Sequence, residues 1–251
     1  MPLLEIEDLK IVLGGVKALN GVSFQVEQGS ITGLIGSNGS GKTTLFNCIS
    51  RIYQPTSGHI RFLGDDLLKV PVHMISRKGI ARTFQNVGLF PDQTVLENVV
   101  TGALVLLDSP AGEAEGRPRL RRHELKDYCM GLLDEIDLAG IAEDHVPSLP
   151  YGTQKRIEIA RALAARPRLL LMDEPAGGLS HSEVDELGEL ITRIRARHDL
   201  TVLVVEHHMR LVMGLAEHIV TLNSGLKIAD GTPAEVRSDP QVIAAYLGGG
   251  S

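Results

Sequence analysis

Residues 36–43 read GSNGSGKT, a full match to G-x-x-x-x-G-K-[ST], and no other stretch restricts the fold as much. Glycines let such a loop turn tightly and aim its backbone N–H groups at anionic oxygens. The preceding run, SITGLIG, reads as a buried strand. The following run, KTTLFNCIS, continues at helical period, so a helix starting near Lys42 adds the positive end of its dipole to the cradle. Strand, glycine loop and helix together specify an α/β phosphate-binding unit. In that unit Lys42 reaches the β and γ phosphates and the Thr43 hydroxyl holds Mg2+. Gly36, Ser37, Asn38, Gly39, Ser40, Gly41 and Thr44 complete the candidate phosphate site.

The rest of the chain fits an α/β sheet around this unit. Residues 3–13 and 22–26 have strand-like spacing with a turn at Gly14 and Gly15, and GHIRFLG is a further strand. RLLLMDEP is a continuous apolar strand, followed by a helix over 183–197, the strand LTVLVVEHH, another helix, and strands near HIVTLNSG and LKIADG. Strands alternating with helices imply a mostly parallel sheet. From about 89 to 165 helical patterns dominate, at 94–107, 122–138 and 154–165. Between the first two lies DSPAGEAEGRPR, which reads as a mobile loop. GGGS at the end reads as a flexible tail or a cloning remnant. The organisation is one domain over 1–251, with 1–88 and 166–251 as core and 89–165 as a helical subdomain.

Composition excludes several classes. The chain has 251 residues, 43% of them apolar, enough to bury a full core. A net charge of −6 leaves no overall basic field for nucleic acid. The one dense basic cluster, RPRLRRHELK at 117–126, reads as a solvated helix start. Two cysteines, Cys48 and Cys129, lack metal or redox spacing, and Cys48 reads as a core residue. The N-terminus lacks a signal pattern and no apolar run reaches membrane-spanning length. A soluble cytoplasmic protein is expected, with any membrane connection made through a partner.

Further residues join the phosphate loop. LLLMDE ends a buried strand in two acids. Alone, such a pair is more often a cap or a solvated end. Beside a phosphate loop, Asp173 delivers a carboxylate to Mg2+, directly or through a water, and Glu174 is placed as general base for an attacking water. His207 in VVEHHM follows another buried strand, where a polar side chain meets a γ-phosphate, while His208 reads as a satisfied or exposed histidine. Gln85, after the short strand in ARTFQNVGLF, is placed to ligate Mg2+ or position water.

These motifs, in this order, resemble the nucleotide-binding subunit of ABC transporters over the whole chain. GSNGSGKTT corresponds to Walker A, Gln85 to the Q-loop glutamine, LPYGTQKRIEIARAL to the signature, LLLMDEP to Walker B, GGLSHSE to the D-loop and His207 to the switch histidine. ARTFQNVGLFPDQTVLENV, VVEHHMRLVMGLAEHIVTLNSG, ADGTPAEV and VIAAYLG are similar to the ATP-binding subunits of branched-chain amino acid importers. The resemblance implies a P-loop NTPase core with an antiparallel β subdomain and a helical insertion. It also implies ATP and Mg2+ as ligands, and head-to-tail pairing of two ATPase subunits. In that pairing the signature residues Leu149, Pro150, Tyr151, Gly152, Thr153 and Gln154 cover the ATP of the partner. Two permease subunits and, indirectly, a solute-binding protein complete the assembly, with this chain peripheral on the cytoplasmic side of the membrane. Nucleic acid is not an expected partner.

The sequence departs from the family at three places. Pro150 replaces the usual signature Ser, Ser180 replaces the D-loop Asp, and Leu13 stands where an aromatic residue stacks on adenine. These departures favour a heterodimer with one weaker ATP site over a homodimer. Import of urea or amides, lipid export, and a small-molecule P-loop kinase are the alternative functions.

Overall fold

The computed structural model describes residues 2–107 and 120–247, with side chains through 245. The DSPAGEAEGRPR segment and the GGGS tail lie outside the described residues. The first strands, β1 (Pro2–Leu13) and β2 (Val16–Glu27), form a hairpin. Gly14 and Gly15 turn it with φ of 54° and 85°, conformations that glycine adopts without a Cβ penalty. The second strand starts six residues earlier than the expected 22, because pairing with β1 recruits the less patterned residues 16–21.

After β3 (Ile31–Gly36) and α1 (Lys42–Ile49) come β4 (Ser57–Phe62), β5 (Asp65–Asp66), α2 (Ile75–Lys78) and β6 (Ile80–Arg82). The helical region holds α3 (Val95–Ala103), α4 (Leu125–Glu135) and α5 (Tyr151–Ala164). The chain returns through β7 (Leu169–Asp173), α6 (His181–His198), β8 (Thr201–Val205), α7 (Met209–Leu215), β9 (His218–Asn223) and β10 (Leu226–Gly231). It closes on α8 (Pro233–Ser238) and α9 (Pro240–Leu247).

Two sheets result. One is antiparallel, in the order β2-β1-β4-β5. The other runs β10-β9-β3-β8-β7-β6, parallel except where β10 pairs with β9. The continuous apolar runs of β7 and β8 are explained by burial on both faces. Leu169, Leu171, Leu203 and Val205 point into a core shared with the antiparallel sheet and α1. Leu170, Met172, Val202 and Val204 point into a second core shared with α3, α4, α5 and α6. Cys48 is buried in the first core and Cys129 in the second.

The expected helices are present with shifted ends. The pattern at 94–107 is α3 plus a 3-10 turn, Leu104–Leu106. That at 122–138 is a 3-10 turn, Arg122–Glu124, followed by α4. Helix α5 starts at Tyr151, three residues before the expected 154, with Pro150 as its N-cap at φ −56° and ψ 149°. Among the described residues no helix is long and apolar enough to cross a membrane.

Candidate functional site

The parallel strands β3, β7 and β8 end side by side, and their C-terminal loops carry the predicted residues. The phosphate loop leaves β3 at Gly36. A Cβ there would sit 2.3 Å from the Leu222 carbonyl oxygen, so only glycine fits. At Gly41, with φ 106°, a Cβ would meet the Ala18 carbonyl oxygen at 2.6 Å. Ser37, Asn38, Gly39 and Thr43 remain exposed while Ser40 is buried. Lys42 is only 7% exposed, and its Nζ donates to the carbonyls of Gly36 (2.8 Å) and Ser37 (3.0 Å). Burial pushes its pKa down, and the nearby Glu174 and Asp173 carboxylates push back. Helix α1 begins at this lysine with no side chain capping its first N–H groups, the condition for accepting an anion.

A cavity of about 410 Å3 lies against the loop, lined by residues 16–18, 38–44, Glu174 and Ser224. Leu13 is not part of that lining. It pairs with Val16 across the hairpin, and Val16, 68% exposed, is the large apolar residue in the wall itself. The sequence reading missed Val16 because the strand pairing that sets its position is not local.

Gln85, Glu174 and His207 converge. Gln85 Nε2 donates to Glu174 Oε2 at 2.8 Å, and His207 Nδ1 stands 3.7 Å from the same oxygen. Glu174 takes φ +46°, an unusual value for a residue with a side chain. Its N–H is held by the Val205 carbonyl at 2.9 Å. His208 is half-buried, and its ring lies 4.8 Å from that of His207.

Asp173 has a partner that sequence reasoning did not find. Its Oδ2 accepts from Arg82 Nη2 at 2.8 Å, with both side chains under a tenth exposed. Arg82 also donates to Asn47 on α1 and to Ser50, the C-cap of that helix, and lies against the Phe46 and Phe84 rings. The only sequence signal was a lone arginine in ARTFQ, 91 positions from the acid it pairs with.

The signature stretch stands apart from this cluster. Pro150 and Tyr151 are exposed, and Gln154 Nε2 returns to the Leu149 carbonyl at 2.9 Å. Thr153 is half-buried. Gly152 lies close to α6 within the chain: a Cβ there would stand 2.5 Å from Glu183 Oε1, the movable end of a side chain. Ser180 is the N-cap of α6 and forms a capping box with Glu183. Farther along α5, three side chains on one face grip the segment after Arg82. Lys155 Nζ donates to the Gln85 carbonyl (2.7 Å), Glu158 accepts from the Phe84 N–H (3.1 Å), and Arg161 donates to the Gly88 carbonyl (2.6 Å). Burial raises the pKa of Glu158 against these bonds.

The arrangement can hold a polyphosphate, stabilise its charge and present a carboxylate and an imidazole to its terminal group. Among the described residues no cluster of three or more His, Cys, Asp or Glu side chains is built to hold a metal by itself. A Mg2+ ion sharing oxygens with a nucleotide does not need one.

Comparison with known proteins agrees with this geometry. Residues 19–177 match the family described as ABC transporter, and residues 227–251 match the branched-chain amino acid ATP-binding cassette transporter family. The chain is 45% identical to BraF of Pseudomonas aeruginosa, a high-affinity branched-chain amino acid transport ATP-binding protein, over 98% of each chain. It is 41% identical to LivG of Escherichia coli, of the same description, again over 98% of each. A crystal structure of an ATP-binding cassette of an ABC transporter, in its ADP conformation, superposes with a TM-score of 0.87 at 30% identity, covering 99% of both chains.

Proposed function

As this chain belongs to the ABC transporter family and is its ATP-binding, ATP-hydrolysing subunit, we propose that it powers the import of branched-chain amino acids. The observation that carries the hydrolytic part is the meeting of Gln85, Glu174 and His207 beside the phosphate loop. The cargo is supported by the relatives BraF and LivG and by the match of the C-terminal segment.

In this reading residues 36–44 hold the phosphates of ATP, with Lys42 swinging from the loop carbonyls to the β and γ oxygens. Thr43, Gln85 and Asp173 are the residues that would hold Mg2+, Asp173 directly or through a water, and the ion would supply charge neutralisation to the phosphates. Glu174 takes the proton of the attacking water, and His207 contacts the γ-phosphate. Val16, rather than Leu13, forms the apolar platform beside the base.

ABC ATPase subunits work with permease subunits. Here two permeases anchor the chain on the cytoplasmic side of the membrane, and a solute-binding protein delivers the cargo. A second ATPase subunit faces residues 149–154 of this one. Pro150 supplies neither the hydroxyl nor the N–H of a serine, and Ser180 is committed to its cap. A heterodimer therefore results, in which this chain's phosphate loop makes the stronger site. ATP turnover of the chain alone, compared with the mixed pair, tests this. Full activity in the isolated chain removes the heterodimer.

Uptake of labelled leucine in the native cell, wild type against Glu174→Gln, tests the function. Loss of uptake, with competition by valine and isoleucine but not urea, is the expected result. Unchanged leucine uptake, with loss of urea uptake instead, overturns the amino acid assignment.

A further inference from the structure

Glu206 is fully buried, and neither the phosphate loop nor the acid pair uses it. It is the last residue before His207, just past the end of β8. Its Oε1 accepts from the Ala176 N–H at 2.7 Å. Its Oε2 accepts from the N–H groups of His207 (3.0 Å) and His208 (3.1 Å). Among the described residues its one side-chain ion-pair neighbour is His207, with Nδ1 at the outer limit of 4.0 Å. A carboxylate withdrawn from water without a close cation is costly, and three N–H donors on both oxygens are what offset that cost.

The donors belong to two different loops. Ala176 lies in the turn that follows Glu174, where the Gly177 N–H closes back on the Glu174 carbonyl at 3.1 Å. His207 and His208 lie in the loop after β8. Glu206 thus ties the backbone beside the general base to the backbone of the histidine. The two side chains so placed meet at 3.7 Å.

We propose that Glu206 is a positioning residue for ATP hydrolysis: its buried carboxylate clamps the Glu174 turn to the His207 loop and so sets the distance between base and histidine. The proposal rests on the site roles given above. The clamp needs acceptors on both oxygens. Glu206→Gln keeps the size but replaces one acceptor by an amide NH2, which cannot accept, so one of the two loops is released. Glu206→Asp keeps both acceptors but is one methylene shorter and cannot span both loops at these distances.

The test measures ATP turnover of the assembled transporter and nucleotide binding by the chain alone. Glu206→Gln is expected to lower kcat about 10-fold or more while KM and nucleotide affinity change less than about threefold, the pattern of a lost transition-state interaction. In a His207→Ala background the same substitution is expected to cost little more, since its effect runs through the histidine. Additive losses in that cycle, or an unchanged kcat, overturn the clamp. If Glu206→Gln does not fold, Glu206→Asp carries the test: a reduced kcat at constant KM supports the proposal, and a wild-type kcat overturns it. Glu174→Gln is the control. If it turns over normally, the site roles themselves fail. If it is inactive while the Glu206 variants are normal, only the clamp fails.

Discussion

Helices α1 and α5 both begin without a side-chain cap, and their starts are built in opposite ways. At α1 the cradle is backbone, shaped by Gly36 and Gly41 within a few residues of the helix. At α5 the first turn follows Pro150, and its placement is set from afar. Glu183 packs against Gly152, and residues 84–88 are held by Lys155, Glu158 and Arg161. The first helix start is a local device, complete in one short stretch. The second is a device of tertiary packing. Contrast with α6 sharpens the point: its first turn carries the Ser180–Glu183 capping box, which takes up two of the backbone N–H groups that α1 and α5 leave without a side-chain partner.

Breaking the local device has the largest expected effect. Lys42→Ala removes the charged donor, and ATP affinity of the isolated chain falls roughly 10- to 150-fold, the loss of one hydrogen bond to a charged group. Titration with a fluorescent nucleotide measures it. Arg161→Ala in the same assay leaves affinity within about twofold, because its contact lies on the other device. A large loss there would mean that the two are not separate.

Pro150→Ser comes next. It restores a hydroxyl and an N–H at the start of α5, and ATP-driven pairing with the partner subunit is expected to tighten about 10-fold. Analytical ultracentrifugation in ATP reads this, and no change would mean that the signature start does not meet phosphate. Ser180→Ala is smaller: loss of the α6 cap lowers stability by about 1 kcal/mol in urea unfolding, with nucleotide affinity unaltered.

The mildest probe uses the two cysteines, one in each core. Burial raises the Cys48 thiol from 9.0 to about 11 and Cys129 from 9.0 to about 12. Both stay protonated at pH 8, so iodoacetamide labels the native chain slowly. Between pH 9 and 11 the unfolded chain gives up thiol protons that the native chain keeps, so stability falls as pH rises across that window. ATP is expected to slow labelling of Cys48 more than that of Cys129, because it binds next to α1. Equal slowing, read by peptide mass, would mean that the two cores open together.

The same contrast explains what the sequence could say. The phosphate loop, the buried strands β7 and β8, and the acids at the end of β7 were legible because each is fixed by neighbours within a turn or a strand. The partners Arg82, Glu158 and Glu206 were not, since each acts on backbone or charge in another segment of the chain. The Asp173–Arg82 pair spans 91 positions. The start of α5 lies three residues before the expected 154: Pro150 is its N-cap, where the fixed φ and missing N–H cost nothing. The early start of β2 was missed because its first residues are ordered by a hairpin partner rather than by their own pattern.

The close approach of Gly152 to Glu183 couples two helix starts. A Cβ at position 152 would meet Glu183 Oε1 at 2.5 Å, the free oxygen of the side chain whose other oxygen caps α6. A larger residue at 152 turns that carboxylate aside, and moving it loosens the turn that holds Ser180. The first turns of α5 and α6 thus share one joint, and a change in the signature stretch is felt at the start of α6 through this single side chain.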